Sequence, residues 1–470
     1  MARTISCPRL IRAAMMVCLV WTNEPELQMI PETSFETGGV ERILFAVKLR
    51  IQPLVSSSWF ICGAAFLFRI AFLLYEAHLV PAQVLALVPF QNEVGSVAAA
   101  LARGKGFCCL FGQPTGPTAW LAPVYPFFLA GIFKVFGIFT VASFYAATSF
   151  NCIFSALVAL PLFHVALRTG NRTTAVLAAW LWAIFPSGIL IPFEWIWDSS
   201  LSALLASTLL WATFLAAKAP ERRNFGYYGL FCGFSLLVNP ALGAVLPFLL
   251  LWIYLRARSL HRESLQNVLL AACLAALVCV PWTLRNAVQF HRFIPIRSDY
   301  PFELWMGNNP IYDEHSREVN RITRYEQVHL YTQLGENAFL EEKRRAAFAF
   351  LRAHPVLCLQ LAARRDVAWW LGTPTPWQDF RQTDSALVRF LFVANAVTLL
   401  GTLAGLLALM HLRSSAFLPV AAYPLVFPLA YYVTQVSLRL RHPSDPILAL
   451  LLAIAVTLPS TRSTFHANAS

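Results

Sequence analysis

Ala122-Pro123-Val124-Tyr125-Pro126-Phe127-Phe128-Leu129-Ala130-Gly131-Ile132-Phe133-Lys134-Val135-Phe136-Gly137 is the stretch on which the fold of this 470-residue chain turns. It is apolar, yet it carries two prolines and Lys134 and barely reaches the roughly 17–25 residues of a membrane-spanning helix. Counted as a span, it pushes three basic loops outside: Arg168-Thr169-Gly170-Asn171-Arg172, Lys218 to Arg223 and Arg256 to Arg262. Read as an interfacial or re-entrant helix, it leaves all three inside, where short loops collect Lys and Arg. The charge bias selects the second arrangement. The same parity places Glu93, Asp198, the Arg285–Ser385 region and Arg439-Leu440-Arg441-His442 together on the outer face.

Composition sets the class. Hydrophobic residues make up 58% of the chain and charged residues 13%, against roughly 25% charge in a soluble domain. The chain is therefore expected to be an all-α polytopic membrane protein. Its +12 net charge comes from Lys and Arg in short loops, which is a topology signal and excludes nucleic acid as the expected partner. The ten cysteines follow no metal or redox spacing, and most lie in apolar runs as small hydrophobes. Cys108-Cys109 and Cys358 fall in polar parts, and no disulfide between them is expected.

Runs long enough to span begin at Ser58 to Tyr75. They continue with Phe139 to Leu167, Thr173 to Ile191, Ser199 to Ala217, Phe225 to Val238, Ala241 to Leu255 and Leu265 to Trp282. After a polar stretch come Ala386 to Met410, Ser415 to Gln435 and Pro446 to Leu458. That makes about ten spans. Residues 58–284 read as an N-terminal transmembrane module with an external loop at 76–138, residues 285–385 as a small external subdomain, and residues 386–470 as a C-terminal transmembrane module. Within the subdomain, Glu336 to His354 has the charge alternation of a half-exposed helix, and Trp369-Trp370-Leu371 with Trp377 reads as an interfacial aromatic belt. Arg9-Leu10-Ile11-Arg12 and the apolar Ala13 to Trp21 resemble a signal peptide without a clear cleavage site. Cleavage there would leave Arg42, Lys48 and Arg50 outside, against the charge rule. Residues 1–57 are therefore read as a cytoplasmic N-terminal extension or an over-extended start.

The chemistry-bearing residues lie at the outer face. Glu93 opens an amphipathic stretch just past the first apolar run, at the water boundary where neighbouring apolar segments raise a carboxylate's pKa. Its simpler role is a carboxylate favoured by the dipole of the helix it starts. Asp198 precedes the span from Ser199, where a capping role competes with a catalytic one; Glu194 is four residues earlier, on the same face if helical. Arg439, Arg441 and His442 are phosphate candidates, because a guanidinium fork matches phosphate oxygens; snorkelling beside a span is their alternative. Arg285, Asn308 and Asn309 are weaker candidates for sugar or phosphate contact. Arg69, inside the first span, is expected to pair within the bundle, and Lys134 to anchor an interface.

Several of these pieces occur in one order. Glu93-Val94-Gly95-Ser96-Val97-Ala98 is followed by Leu101-Ala102-Arg103-Gly104-Lys105-Gly106-Phe107, and then by Gly116-Pro117-Thr118-Ala119-Trp120-Leu121-Ala122-Pro123-Val124-Tyr125-Pro126 and Phe133-Lys134-Val135-Phe136-Gly137. Further along stand Trp197-Asp198-Ser199-Ser200-Leu201, Pro281-Trp282-Thr283-Leu284-Arg285-Asn286, Leu304-Trp305-Met306-Gly307-Asn308-Asn309-Pro310 and Arg439-Leu440-Arg441-His442-Pro443-Ser444-Asp445-Pro446. From about Ser58 onward the chain resembles the polyprenyl-phosphate-dependent glycosyltransferases of the GT-C superfamily: glycosyltransferase family 39, the protein O-mannosyltransferases and the aminoarabinose transferases. Two departures stand out. Where the family usually carries an Asp-Glu pair, this chain has Asn92-Glu93, and an amide accepts no proton at useful pH. Where some members carry Lys-Pro-Pro to bind donor phosphate, this chain has Trp120-Leu121-Ala122-Pro123, so other cations must meet that charge.

The resemblance implies an inverting hexosyl- or pentosyltransferase that takes its sugar from a polyprenyl-phosphate donor. A carboxylate accepts the acceptor's proton and cations stabilise the leaving phosphate. Glu93 is the expected base, with Asp198 assisting. Membrane lipids and the lipid-linked sugar are the expected partners. The expected location is a bacterial inner membrane with the site facing the periplasm. No cofactor is expected, and a divalent metal is left open. No Gly-rich phosphate loop, HExxH or nucleotide-sugar Asp-x-Asp motif occurs. A lipid or solute transporter and a non-catalytic envelope-assembly protein stay open as other classes, although no inverted repeat is visible. The topology has a direct test. In intact cells an impermeant thiol reagent should label a cysteine placed near Asn308 and spare one near Arg222; the reverse pattern overturns the arrangement.

Overall fold

A computed structural model of the chain describes residues 53–219, 221–258, 264–309, 325–373, 376–383 and 385–457. Residues 1–52 of the expected extension lie outside the described residues, as do residues 259–263 of the Arg256–Arg262 loop, residues 310–324 of the external region and the side chain of Trp377. Among the described residues every regular element is helical, and the chain is an all-α polytopic membrane protein. Seven helices among the described residues are long and apolar enough to cross a membrane: Ser58–His78, Val141–Thr169, Arg172–Glu194, Ser199–Lys218, Ser264–Phe290, Ala386–His411 and Leu438–Thr457. Two bent pairs raise the number to nine if each is one span: Ala82–Phe90 with Glu93–Ala102, and Glu326–Ala353 with Pro355–Leu371.

Three expected runs form shorter helices. They are Arg222–Val238, Leu246–Ala257 and the pair Phe417–Leu425 and Leu429–Val433. Proline explains the breaks: Pro240 and Pro428 have no N–H to continue a helical ladder. The stretch that decided the topology is the helix Val124–Phe136, 13 residues long. At 1.5 Å per residue it runs about 20 Å, short of a hydrocarbon core of about 30 Å. It packs against Glu93–Ala102 and Val141–Leu157.

The core centres on Asp445–Thr457, in which Ile447, Leu448, Ala449, Leu450 and Leu451 are fully buried. It packs against Ala386–His411 and Arg172–Ala183. Close approach depends on small residues, as lipid-facing bundles require. A Cβ on Gly405 would meet the Leu451 carbonyl oxygen at 2.3 Å, and one on Gly229 would meet that of Ala271 at 2.4 Å.

Arg69 is paired within the bundle, with neutral acceptors. The Arg172–Glu194 span breaks between the helices Arg172–Ala183 and Pro186–Glu194, which frees carbonyls at membrane depth where no water can bond them. Buried Arg69 donates to the carbonyl oxygens of Trp182 and Ala183, both at 3.1 Å, and to the Ser155 hydroxyl at 2.8 Å.

Outside the bundle, two charged side chains hold an otherwise irregular layer. The buried carboxylate of Glu336 accepts from Thr118 Oγ1 at 2.5 Å, Ala119 N at 2.9 Å, Ser298 Oγ at 2.7 Å and Tyr331 OH at 2.7 Å. Gly335, with φ 72°, breaks the helix immediately before it. Arg285 donates to the carbonyls of Thr118 at 2.7 Å and Phe107 at 3.0 Å, so it clamps both ends of the loop between them. Ser264–Phe290 runs as one helix through Arg285. Pro355–Leu371 packs back on Ala386–His411 and Leu429–Val433.

Replacing Glu336 by Ala strips the acceptor from four donors, three of them on buried residues. Each buried, unsatisfied donor costs about 1–3 kcal/mol, so Glu336→Ala should lower thermal stability in detergent and open the 107–119 loop to hydrogen exchange. Unchanged exchange in that loop would remove Glu336 from this role.

Candidate active site

Glu93 owes its place to the turn before it. Asn92 caps the helix Glu93–Ala102: its Oδ1 accepts from Gly95 N at 2.8 Å, while its Nδ2 donates to the Pro89 carbonyl at 2.9 Å. A carboxylate cannot make the second bond, so Asn92 serves the turn in a way that Asp would not. Gly95 allows the same turn, since a Cβ there would sit 2.2 Å from the Phe90 carbonyl oxygen. The two helices meet at 96°, and Glu93 stands half-buried in the first turn of the second.

Asp198 ends the link Trp195-Ile196-Trp197 and leads into Ser199–Lys218 without a capping side-chain bond. Its Oδ2 instead accepts from Ser202 Oγ at 2.8 Å, and Ser202 Oγ accepts from Asn239 Nδ2 at 3.1 Å. Asn239 is itself oriented by accepting from Ala241 N at 3.0 Å. This chain of bonds fixes one carboxylate oxygen. Burial pushes the Asp198 carboxyl up from its ordinary pKa, opposed by the Ser202 bond and by the charges of Arg439 and Arg297.

Two residues that the sequence reading passed over join this group. Glu303 lies on the short helix Tyr300–Gly307 and accepts a hydrogen bond from Gln435 Nε2. Gly307 lets that helix dock, because a Cβ there would overlap the Thr434 carbonyl oxygen at 1.7 Å. Burial raises the Glu303 carboxyl; Arg297, Gln435 and Arg439 oppose the rise and Glu93 adds to it. Arg297 pairs with Asp299. A sequence signal for Glu303 existed: it is the single acid in Tyr300-Pro301-Phe302-Glu303-Leu304-Trp305-Met306-Gly307.

These groups meet at Arg439, whose guanidinium feels the charges of Asp198, Glu93, Glu303 and Arg297. Arg439 is half-buried, and among the described residues its N–H groups have no protein acceptor within hydrogen-bond distance. Arg441 and His442 take a different place. Successive helical residues turn by about 100°, so Arg441 points away from Arg439 into the bundle. There it donates to Asp445 at 2.9 Å, to the Trp369 carbonyl at 2.9 Å and to Asn395 Oδ1 at 2.7 Å. His442 is fully buried, with Nδ1 3.1 Å from Ser187 Oγ, and Ser187 also donates to Asp445. Of the three expected phosphate ligands, Arg439 thus lies beside the carboxylates, Arg441 spends its donors on protein oxygens, and His442 is buried with Nδ1 beside Ser187.

Three of the weaker candidates, Asn308, Asn309 and Arg285, bond within the protein. Asn308 donates to the carbonyls of Leu304 at 2.9 Å and Val433 at 2.7 Å, and accepts from Arg365 at 3.3 Å. Asn309 donates to the Trp305 carbonyl at 2.8 Å. Both are buried, and they fix the end of the Tyr300–Gly307 helix. Arg285 is the loop clamp described above. Glu194 is exposed, and Lys134 is exposed on its short helix. Among the described residues no three His, Cys, Asp or Glu side chains group closely enough to hold a metal ion.

No protein-family model matches this chain, and no curated protein matches it. It is similar to solved structures of an oligosaccharyltransferase from Archaeoglobus fulgidus. The apo form is 13% identical with a TM-score of 0.49, over 87% of this chain and 51% of that one. The archaeal oligosaccharyltransferase AglB in complex with an inhibitory peptide and a dolichol-phosphate is 15% identical with a TM-score of 0.47, over 81% of this chain and 48% of that one. The chain thus spans about half the length of the structures it matches.

The raised carboxyls set a pH dependence of stability. An acid whose folded pKa lies above its unfolded value binds more protons folded than unfolded between the two, so stability falls as pH rises through that window. For Asp198 and Glu303 the fall starts near the ordinary carboxylate pKa of about 4 and ends at the raised values. Thermal unfolding across pH should show this decline in the wild type and a shallower one in Asp198→Asn. Parallel curves would overturn the assignment for Asp198.

Proposed function

We propose that this chain is an integral-membrane glycosyltransferase that moves a sugar from a polyprenyl phosphate to an envelope acceptor. The observation that carries this reading is the Arg439 guanidinium, which among the described residues has no protein acceptor and feels the charges of Glu93, Asp198 and Glu303. A group transfer that expels a phosphate needs these two functions side by side, a fixed cation for the leaving oxyanion and a carboxylate for the acceptor's proton. The ordered motifs shared with the GT-C glycosyltransferases support the same class.

In this reaction the acceptor hydroxyl attacks the anomeric carbon, and its proton passes to Glu93. The bond from that carbon to the phosphate oxygen breaks on the opposite side, inverting the centre, and the electron pair leaves with the phosphate. Arg439 holds the phosphate in place of the expected Arg441 and His442, because a planar guanidinium fits two phosphate oxygens at once. Asp198, held by Ser202, assists as the second carboxylate. Its raised pKa brings it nearer to the operating pH, where a base works best. Asn92 is compatible with an active site, since its amide is used in the turn that carries Glu93.

Glu93→Gln keeps shape and hydrogen bonding but removes proton acceptance. Transfer from a radiolabelled polyprenyl-phosphate sugar should fall by roughly 10²–10⁴-fold, while donor binding stays within a few-fold. Arg439→Ala should weaken donor binding, and Arg439→Lys should recover only part of it. Near-normal turnover in Glu93→Gln moves the base to Asp198. Near-normal turnover in both Glu93→Gln and Asp198→Asn ends the reading of base catalysis by either carboxylate.

A further inference from the structure

We propose that Trp195 and Trp197 are positioning residues that hold the Arg439 guanidinium open for the donor phosphate, an inference that rests on the phosphate reading of Arg439. The link between Pro186–Glu194 and Ser199–Lys218 is Trp195-Ile196-Trp197-Asp198. Trp195 has extended backbone, with φ −131° and ψ 108°, and the chain then turns tightly at Ile196, whose side chain is buried in the apolar core, 1% exposed. Both indoles meet Arg439: its Cζ lies 5.1 Å from the ring centre of Trp195 and 4.2 Å from that of Trp197. The link is itself braced, with Trp197 N donating to the Trp195 carbonyl at 2.9 Å and Asn151 Nδ2 donating to the same oxygen at 3.4 Å.

Ring contacts differ in kind from hydrogen bonds. A guanidinium donates only in its own plane, through five N–H groups. An aromatic face attracts the cation by its quadrupole and uses none of those donors. Arg441 is held the other way, by acceptors that occupy its donors. At Arg439 the rings fix the cation while its donors stay available to an oxyanion. They also keep it from settling onto Asp198, Glu93 or Glu303, whose charges all attract it. Contact with any of these would occupy the phosphate's ligand and the proton acceptor together. The indoles therefore keep cation and base apart.

The test is a double-mutant cycle read by calorimetric titration of a polyprenyl monophosphate in detergent micelles. Trp197→Leu should weaken binding about tenfold, and Trp197→Phe, which keeps a π face, should retain most of it. In the Arg439→Ala background Trp197→Leu should cause no further loss, because its effect passes through Arg439. An equal loss in both backgrounds marks a merely structural residue and overturns the proposal. Unchanged binding in Trp197→Leu alongside weakened binding in Arg439→Ala overturns the clamp and leaves the phosphate reading standing. Unchanged binding in Arg439→Ala sinks both. If Trp197→Leu does not fold, Trp197→Met takes its place in the cycle under the same outcomes.

Discussion

A polar group at membrane depth is costly to leave without an internal partner, because the hydrocarbon core supplies no water. That constraint accounts for the least intuitive residues in this bundle. Where proline interrupts the Arg172–Glu194 span, Arg69 supplies donors to the freed carbonyls of Trp182 and Ala183. Where the last span opens with a cationic turn, Arg441 and Asp445 pair at 2.9 Å, and His442 and Ser187 complete a buried network. These groups join the first span, the broken one and the last. Removing one partner from such a set leaves an uncompensated polar group, the most damaging change a buried pair can suffer.

The same logic sets one arginine apart. Arg69, Arg285, Arg365 and Arg441 all spend their N–H groups on protein oxygens. Arg439 does not, among the described residues, although it lies deep enough to feel three carboxylates. The outer layer makes the arrangement rigid. Glu336 and Arg285 hold the loop after the first amphipathic helix, and Gly307 seats the helix carrying Glu303 against the segment that leads to Arg439.

The fold class was legible because apolar run length is a local property of the chain. The first span, the long runs after it and the last two long helices are recognisable from composition alone. Proline-bearing runs such as Ser415 to Gln435 were less legible, since whether Pro ends a helix depends on what can bond the freed carbonyls. Glu93, Asp198 and Arg439 were legible as candidates from loop charge parity, which counts spans and needs no side-chain geometry.

The sequence by itself determined an all-helical membrane chain and a set of charged residues at helix ends. Only the tertiary structure decided which of them face each other. Arg439 and Arg441 are two residues apart and chemically identical, yet the helical turn sends one to the carboxylates and the other to Asp445. Glu303 sits on a helix that Gly307 lets approach the Thr434 backbone closely. Asn92 acquires its meaning from the Pro89 carbonyl that its amide reaches. The physical reason is common to all three. Residue type sets what a side chain can donate or accept, while the availability of those donors and acceptors depends on which distant segments pack beside it.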